Sequence, residues 1–283
     1  MNWKSFSVRL LLVGVAFPIL AVLVLVLPYL HHVGLNFLVV LVTVAGAMEM
    51  VALFRGRRIP TSPILAPVLA AAFPVGAWLE VSGYFPPAWM GIWLPAAVGI
   101  LLVRAVFFRK GRKLSTVLAF ASSSVFTFFY PGFFLAWIVR LSGLSDPSLA
   151  ILFFLCLVFG NDMAAYFVGS LWGASTRLNL SVSPHKSIVG FAAGLAGSLI
   201  VVGLFAAAVP DFPRFGIAAR VVLGLCTGAT AILGDLLESG MKRSAGVKDS
   251  GGVIPGRGGI LDSVDSMIFT APLFYYFMLL AGG

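Results

Sequence analysis

Apolar runs of about 20 residues recur from one end of this chain to the other, and short segments between them hold most of the charges. A run of that length crosses the hydrocarbon core of a bilayer as a helix. In lipid every backbone N–H and C=O must be satisfied internally, which leaves helices or a closed barrel. The alternating pattern of barrel strands is absent, and many runs are too long for it. Composition points the same way: 60% of residues are hydrophobic and 10% charged, against roughly a quarter charged in a soluble domain. So few charges do not cover a water-facing surface. The expected fold is an all-α polytopic membrane protein of about nine transmembrane helices, near 10–29, 33–54, 63–79, 87–108, 114–139, 148–171, 187–209, 214–236 and 260–281.

Alternate loops differ in charge. One set holds Arg55, Arg57 and Arg58, then Arg109, Lys110, Arg112 and Lys113, then Arg177 and Lys186, then Lys242, Arg243, Lys248 and Arg257. The other holds little beyond His31, His32, Glu80, Arg140, Asp146, Asp211 and Arg214. Positively charged loops stay cytoplasmic. The expected topology therefore has the N-terminus in the cytoplasm and the C-terminus outside, in the cell inner (cytoplasmic) membrane. Eight spans would put basic loops on both sides. The net charge of +9 is then a topology signal with contact to anionic lipid, and no nucleic-acid partner is expected. Cys156 and Cys226 each lie inside an apolar run, so neither a disulfide nor a thiolate metal site is expected. Lys4 and Arg9 precede the first run, which is longer than a signal h-region and lacks a nearby small-x-small site; it reads as a retained helix. No internal repeat is visible, which removes one pointer to a transporter.

The chain changes character near Gly160, after which carboxylates, lysines and glycines appear at span ends. Residues 1–147 are expected to anchor the protein and shape a lipid entrance. Residues 148–283 form the expected catalytic region, with cytoplasmic loops 172–186 and 237–259. Asp235, Asp262 and Asp265 flank the second loop, and the last two are spaced to share a helical face. Such a cluster suits Mg²⁺, which takes oxygen ligands and completes its shell with phosphates; aspartates at a helix start serve equally as caps. Lys242, Arg243 and Lys248 lie between them, as phosphate ligands or as ordinary cytoplasmic charge. Gly251, Gly252, Gly256, Gly258 and Gly259 let backbone approach a ligand, although the spacing of a Walker loop is missing. In the first loop Ser183, Pro184, Lys186 and Ser187 read as a phosphate-friendly helix entry or as a plain capped start. Asp162 sits inside an apolar run and is a functional candidate by its cost there, with a structural hydrogen bond as the alternative. Glu49, near the end of the second span, is expected to snorkel or to pair with an arginine of residues 55–58. His185 reads as incidental.

These residues together resemble the phosphatidate cytidylyltransferases, or CDP-diglyceride synthetases. The family pattern is Ser-x-apolar-Lys-Arg, four residues, Lys-Asp, then Pro-x-His-Gly-Gly-apolar-x-Asp-Arg-apolar-Asp. Ser239, Met241, Lys242, Arg243, Lys248, Asp249, Gly251, Ile254, Pro255, Gly258, Gly259, Ile260, Asp262, Val264 and Asp265 fall in register without a gap. An upstream Ser-Pro-x-Lys-Ser/Thr element matches at Ser183, Pro184, Lys186 and Ser187, and an Asp-x-x-Ala-Tyr element at Asp162, Ala165 and Tyr166. The likeness covers about 160 to 283. Two positions depart from it: Arg257 stands where the family has His, and Ser263 where it has Arg. A glutamate that often follows the Ser-Pro-x-Lys element is also missing, with Val189 near its place.

The resemblance implies transfer of a cytidylyl group from CTP to phosphatidate, with Mg²⁺ and room for a second cation, in a homodimer within membrane lipid. It assigns Lys242, Arg243, Lys248 and Asp249 to catalysis. Ser183, Lys186, Ser187, Arg257, Gly258 and Gly259 would bind substrate, and Asp235, Asp262 and Asp265 the metal, with Asp162 as a further ligand. A phosphomonoester is largely dianionic at neutral pH, so the expected chemistry needs positive charge and alignment more than a base. A relative that activates another lipid phosphate, a transporter and a non-catalytic scaffold remain as alternatives.

Overall fold

The computed structural model describes the backbone of residues 3–107, 114–212, 215–254 and 256–282, and side chains from residue 14 to 280 within those segments. The side chains of Lys4 and Arg9, together with Arg109, Lys110, Arg112, Lys113, Arg214 and Pro255, lie outside the described residues.

The helices are α1 (Trp3–Leu25), α2 (Tyr29–Gly56), α3 (Leu65–Val81), α4 (Trp89–Phe107), α5 (Val117–Phe128), α6 (Phe134–Arg140), α7 (Pro147–Trp172), α8 (Ile188–Ala208), α9 (Ile217–Ala245) and α10 (Leu261–Gly282). A π-helical turn, Phe129–Phe133, joins α5 to α6, so the described residues form nine rods, one for each expected span. Pro131 lies in that turn and has no N–H to give the ladder, which favours a local widening. Two isolated bridges occur among the described residues, and no strand. Seven of the rods are long and apolar enough to cross a membrane; α3 and the described part of α1 are shorter. Regular helix in α2 starts only after His32, because Leu30, His31 and His32 have left-handed backbone angles. The largest boundary error is in α9, which continues to Ala245 and not to 236. Residues 237–245, expected in a loop, are helical.

Lipid tails are as apolar as leucine, so helices in a bilayer associate through close packing and polar contacts more than through burial of apolar area. The pairing of α7 with α8 follows this rule. A Cβ at Gly197 would lie 2.7 Å from the carbonyl oxygen of Gly160, so only glycine allows the approach. Buried Asn161 crosses from α7 to both neighbours, donating to Ser198 Oγ (3.3 Å) and the Gly228 carbonyl (3.4 Å). At the opposite end from the loops at 172–186 and 246–260, Arg140 of α6 pairs with Glu80 of α3 and lies over the rings of Trp137 (4.8 Å) and Tyr275 of α10 (5.6 Å). A charge pair of this kind ties three helices where each ion alone would be costly to bury. The other end gathers the C-terminal ends of α2, α7 and α9 with the starts of α8 and α10.

Gly197→Val should lower stability by about 1–3 kcal/mol. Gly203→Val, where a Cβ meets nothing within 4 Å, should be close to neutral. Thermal unfolding of both variants in one detergent checks this.

Candidate active site

Asp235, Glu238 and Lys242 lie on one face of the last turns of α9 at a spacing of three and then four. Lys242 and Arg243 sit in the final turn, where cations suit the helix dipole. Gly246 ends the helix with φ 75°, its N–H bonding to the Arg243 carbonyl at 3.0 Å and that of Val247 to Lys242 at 3.0 Å. Apart from Gly240, tolerated inside the helix, the stretch from 237 to 245 is rich in good helix formers and free of proline, so α9 runs on past 236 until Gly246. Further back, a Cβ on Gly234 would lie 2.5 Å from the Asp265 carbonyl oxygen. The close crossing of α9 and α10 there puts Asp235 beside the first turn of α10.

The acidic side chains divide into two groups. The first is Asp162 from α7, Asp235 from α9 and Asp265 from α10. Asp265 is 8% exposed. Its Oδ1 accepts the Ser266 N–H at 2.7 Å, and the Ser266 hydroxyl donates to Asp162 Oδ1 at 3.2 Å. Asp265 lies within electrostatic reach of Asp235, Asp162 and Glu238, and Asp162 within reach of Asp235, Lys186 and Arg257. Lys186 pairs with Asp235, both about one third exposed. The structural alternative for Asp162 is thus realised: it accepts a hydrogen bond from Ser266 of α10, and it also lies within electrostatic reach of Asp235.

The second group is Glu238, Asp262 and Glu49. Lys242 bridges Glu238 and Asp262, with both carboxylates nearly inaccessible. Asp262 Oδ2 accepts the N–H groups of Ser250 (2.8 Å) and Gly259 (2.7 Å), and the Ser250 hydroxyl lies 2.9 Å from it. Glu49 accepts the N–H groups of Ile260 (2.8 Å) and Leu261 (2.9 Å) and is 2.8 Å from the Ser250 hydroxyl. The expectation that Glu49 snorkels or pairs with an arginine is therefore corrected. It is 8% exposed and points inward, because the unsatisfied N–H groups at the start of α10 attract a carboxylate. Arg57 goes elsewhere, donating to the Ser244 carbonyl at 2.7 Å.

Asp262 and Asp265, one turn apart, thus serve different groups. The oxygens of Asp262 are engaged by protein donors, while the first group carries a surplus of negative charge. Hard carboxylate oxygens with little compensating cation fit Mg²⁺ better than a soft metal. Among the described residues no group of three or more His, Cys, Asp or Glu side chains is placed to hold a metal ion, so an ion here would take at most two of these carboxylates, and substrate phosphate or water oxygens would supply the rest of its shell.

The remaining expected residues fall around these groups. Ser187 caps α8, accepting the Gly190 N–H at 3.1 Å, so its part of the helix entry is structural. Ser183 lies in the turn that precedes it, its carbonyl accepting the Lys186 N–H at 3.3 Å. Arg243, Lys248 and Asp249 are exposed at the mouth of the loop, as is His185. Arg257 sits on a tight turn closed by paired bonds between Ile254 and Gly258 (2.8 and 3.0 Å). Gly258 has φ 114°, and a Cβ there would lie 2.5 Å from Asp262 Oδ2. Ser263 folds back on the Gly259 carbonyl at 3.2 Å, away from any phosphate role.

Sequence reading missed Glu238, Ser250, Ser266 and Tyr130. Glu238 could have been found from its spacing to Asp235 and Lys242. Tyr130 had no local signal. It lies on the π-helical turn, 4% exposed, with its hydroxyl unpartnered among the described residues and within electrostatic reach of Asp265, Glu238 and Asp235.

Lys242→Met strands two buried carboxylates and should cost about 3–5 kcal/mol. Adding Glu238→Gln should return part of that loss. A double-mutant cycle on thermal stability measures the coupling.

The sequence matches the model of the cytidylyltransferase family over residues 8–281. It is 49% identical over 130 residues to a phosphatidate cytidylyltransferase of Synechocystis, an overlap of 46% of this chain and 43% of that protein. It is 35% identical over 154 residues to a phosphatidate cytidylyltransferase of Bacillus subtilis, covering 53% and 55%, and 43% identical over 125 residues to one of Staphylococcus aureus, covering 44% and 46%. The chain spans about half the length of the curated relatives it matches. The family match, running almost from end to end, shows that this chain belongs to the cytidylyltransferase family.

Proposed function

We propose that the protein is a phosphatidate cytidylyltransferase, joining CTP and phosphatidate into CDP-diacylglycerol with release of pyrophosphate. The observation that carries this reading is the meeting of Asp162, Asp235 and Asp265 with Lys186 and Arg257 at one end of a lipid-embedded bundle. In the reaction a phosphate oxygen of phosphatidate forms a bond to the α-phosphorus of CTP. The bond from that phosphorus to the bridging oxygen breaks, and its electrons leave with pyrophosphate. The nucleophile is already an anion, so no residue is asked to remove a proton, Asp249 included. What opposes the step is repulsion between two anions, and charge fixed in a dry site counters it.

Asp162, Asp235 and Asp265 would supply the ligands for Mg²⁺, at most two of them at once as they are placed, and the bound ion would neutralise charge on the nucleotide phosphates. Asp262 would join them only by giving up Lys242. Lys186 is about one third exposed in its pair with Asp235 and free to move to a phosphate, since such pairs contribute little. Arg257 faces the same cluster from the loop, and Lys248 and Arg243 stand at its mouth. Lys242, locked between Glu238 and Asp262, holds the frame. Arg257, which lies within electrostatic reach of Asp162, would supply the cation missing at 263. This favours retained chemistry over a divergent substrate.

The site end of the bundle carries Arg55, Arg57, Arg58, Arg177, Lys186, Lys242 and Arg243, against Arg140, paired with Glu80, and Arg220 at the other among the described residues. That bias supports a cytosolic active site in the inner membrane, an N-in and C-out topology, and CTP arriving from the cytosol while lipid enters between helices. A homodimer follows only from the resemblance.

Purified protein given CTP, phosphatidate and Mg²⁺ should form CDP-diacylglycerol. Asp265→Ala and Asp235→Ala should each lower turnover by at least about 10²-fold; unchanged turnover in both would remove the metal assignment. Assays with other lipid phosphates, and with Arg257→His plus Ser263→Arg, distinguish a divergent relative.

A cysteine placed at exposed Gly252, in a chain with Cys156→Ala and Cys226→Ala, should react with a membrane-impermeant maleimide only in inverted vesicles. Labelling in intact cells would reverse the topology.

A further inference from the structure

We infer that α2, in the half of the chain expected to anchor the protein and shape a lipid entrance, is the positioning element of the reaction: Glu49 seats the start of α10 and Arg57 the end of α9, so that together they hold the intervening loop. The inference rests on the proposed reading of the site and adds a role that neither the motif nor the resemblance contains.

The first N–H groups of a helix need acceptors, and a side chain just before the helix usually supplies one. At α10 the acceptor comes from more than two hundred residues away. Each oxygen of Glu49 takes one backbone N–H, of Ile260 and of Leu261. The Ser250 hydroxyl stands 2.8 Å from Glu49 and 2.9 Å from Asp262; with one proton it donates to one of them at a time and keeps both carboxylates on the same loop. Two glycines are shaped to this visitor. A Cβ at Gly251 would lie 2.5 Å from Glu49 Oε1, and one at Gly259 would overlap Oε2. Glycines that look ready for a ligand's approach are approached by a protein carboxylate.

Two turns further along α2, Arg57 donates to the Ser244 carbonyl and lies against Gly246. The signs suit the dipoles, an anion at the start of α10 and a cation at the end of α9. The grip matters for chemistry because Asp265 follows Leu261 by one turn and Asp235 lies on α9. Moving either helix end moves a member of the acidic cluster. The seat also excludes: the start of α10 is filled, so substrate phosphates are directed to Lys186 and Arg257.

The test uses the full-length chain in detergent micelles. Glu49→Gln keeps the shape and removes the charge; Glu49→Asp keeps the charge on a shorter arm; Arg57→Gln releases the other end. Tryptic cleavage after Lys248 and Arg257 reads the loop, and thermal unfolding reads the bundle. Glu49→Gln should speed cleavage about tenfold or more with little change in unfolding temperature. It should also lower kcat about 10²-fold, with a smaller change in KM for CTP. Arg57→Gln should move both readouts the same way by less, and Glu49→Asp should restore part of each. Wild-type protection and turnover in Glu49→Gln would overturn the inference, as would lost turnover with the loop still protected. If Glu49→Gln fails to fold, Arg57→Gln decides by the same two readouts. A wild-type protein that makes no CDP-diacylglycerol would defeat the proposed function, and the cleavage rates alone would then decide whether α2 holds the loop.

Discussion

Six of the ten acidic residues of this chain meet near one end of an apolar bundle: Glu49, Asp162, Asp235, Glu238, Asp262 and Asp265. Carboxylates do not stay charged in such a place without partners, because desolvation costs several kcal/mol per ion. The fold answers in two ways. Around Glu49, Glu238 and Asp262 it spends Lys242, a serine hydroxyl and four backbone N–H groups, and the result is a closed, rigid network. Around Asp162, Asp235 and Asp265 it supplies one exchangeable lysine and hydrogen bonds through Ser266, and negative charge is left over. The closed network carries stability. The open one has the imbalance that a divalent ion and a polyphosphate would correct.

This division suits a reaction between two anions. The reacting groups must be brought within van der Waals distance against their charge, so the cations that receive them have to be placed before they arrive. A lysine held between two buried carboxylates is poor at following a moving phosphate, but it fixes α9 against α10. A partly exposed lysine paired with one aspartate, as Lys186 is, gives up that partner at small cost. Residues with the same charge and nearly the same surroundings in sequence therefore do different work, decided by how deeply each is buried.

Much of the fold was legible because the bilayer removes choices. Each long apolar run had to be a helix, and the charges between runs numbered them. The end of α9 was misplaced because the sequence turns polar at Asp235 while remaining helical to Ala245; polarity marks the membrane edge, and Gly246 marks the helix end. In the site, the local spacing exposed Asp235, Asp262, Asp265 and Lys242 but could not say which aspartate faced which network. Spacing of three puts two residues on one face, yet a loop folded over that face can claim one of them. Glu49 was visible as a charge in an apolar run and still misread, because an arginine six residues away is a nearer partner in sequence than a helix start more than two hundred residues on. Tyr130 gave no sign at all, since its place depends on the π-helical turn and on packing against the far half of the chain.

The filled seat at the start of α10 bears on selectivity. A free helix start accepts any anion that reaches it, with no preference between a nucleotide phosphate, a lipid headgroup and an inorganic ion. At a membrane surface rich in lipid phosphates, such a site would be occupied by the commonest of them. With a glutamate from α2 already there, recognition in the proposed reaction would pass to Lys186, Arg257 and the acidic cluster. These would favour an anion that also brings a cation, as a triphosphate chelating Mg²⁺ does and an isolated headgroup does more weakly. On this proposal the N-terminal half would shape which phosphate is welcome at a site whose motif lies wholly in the other half.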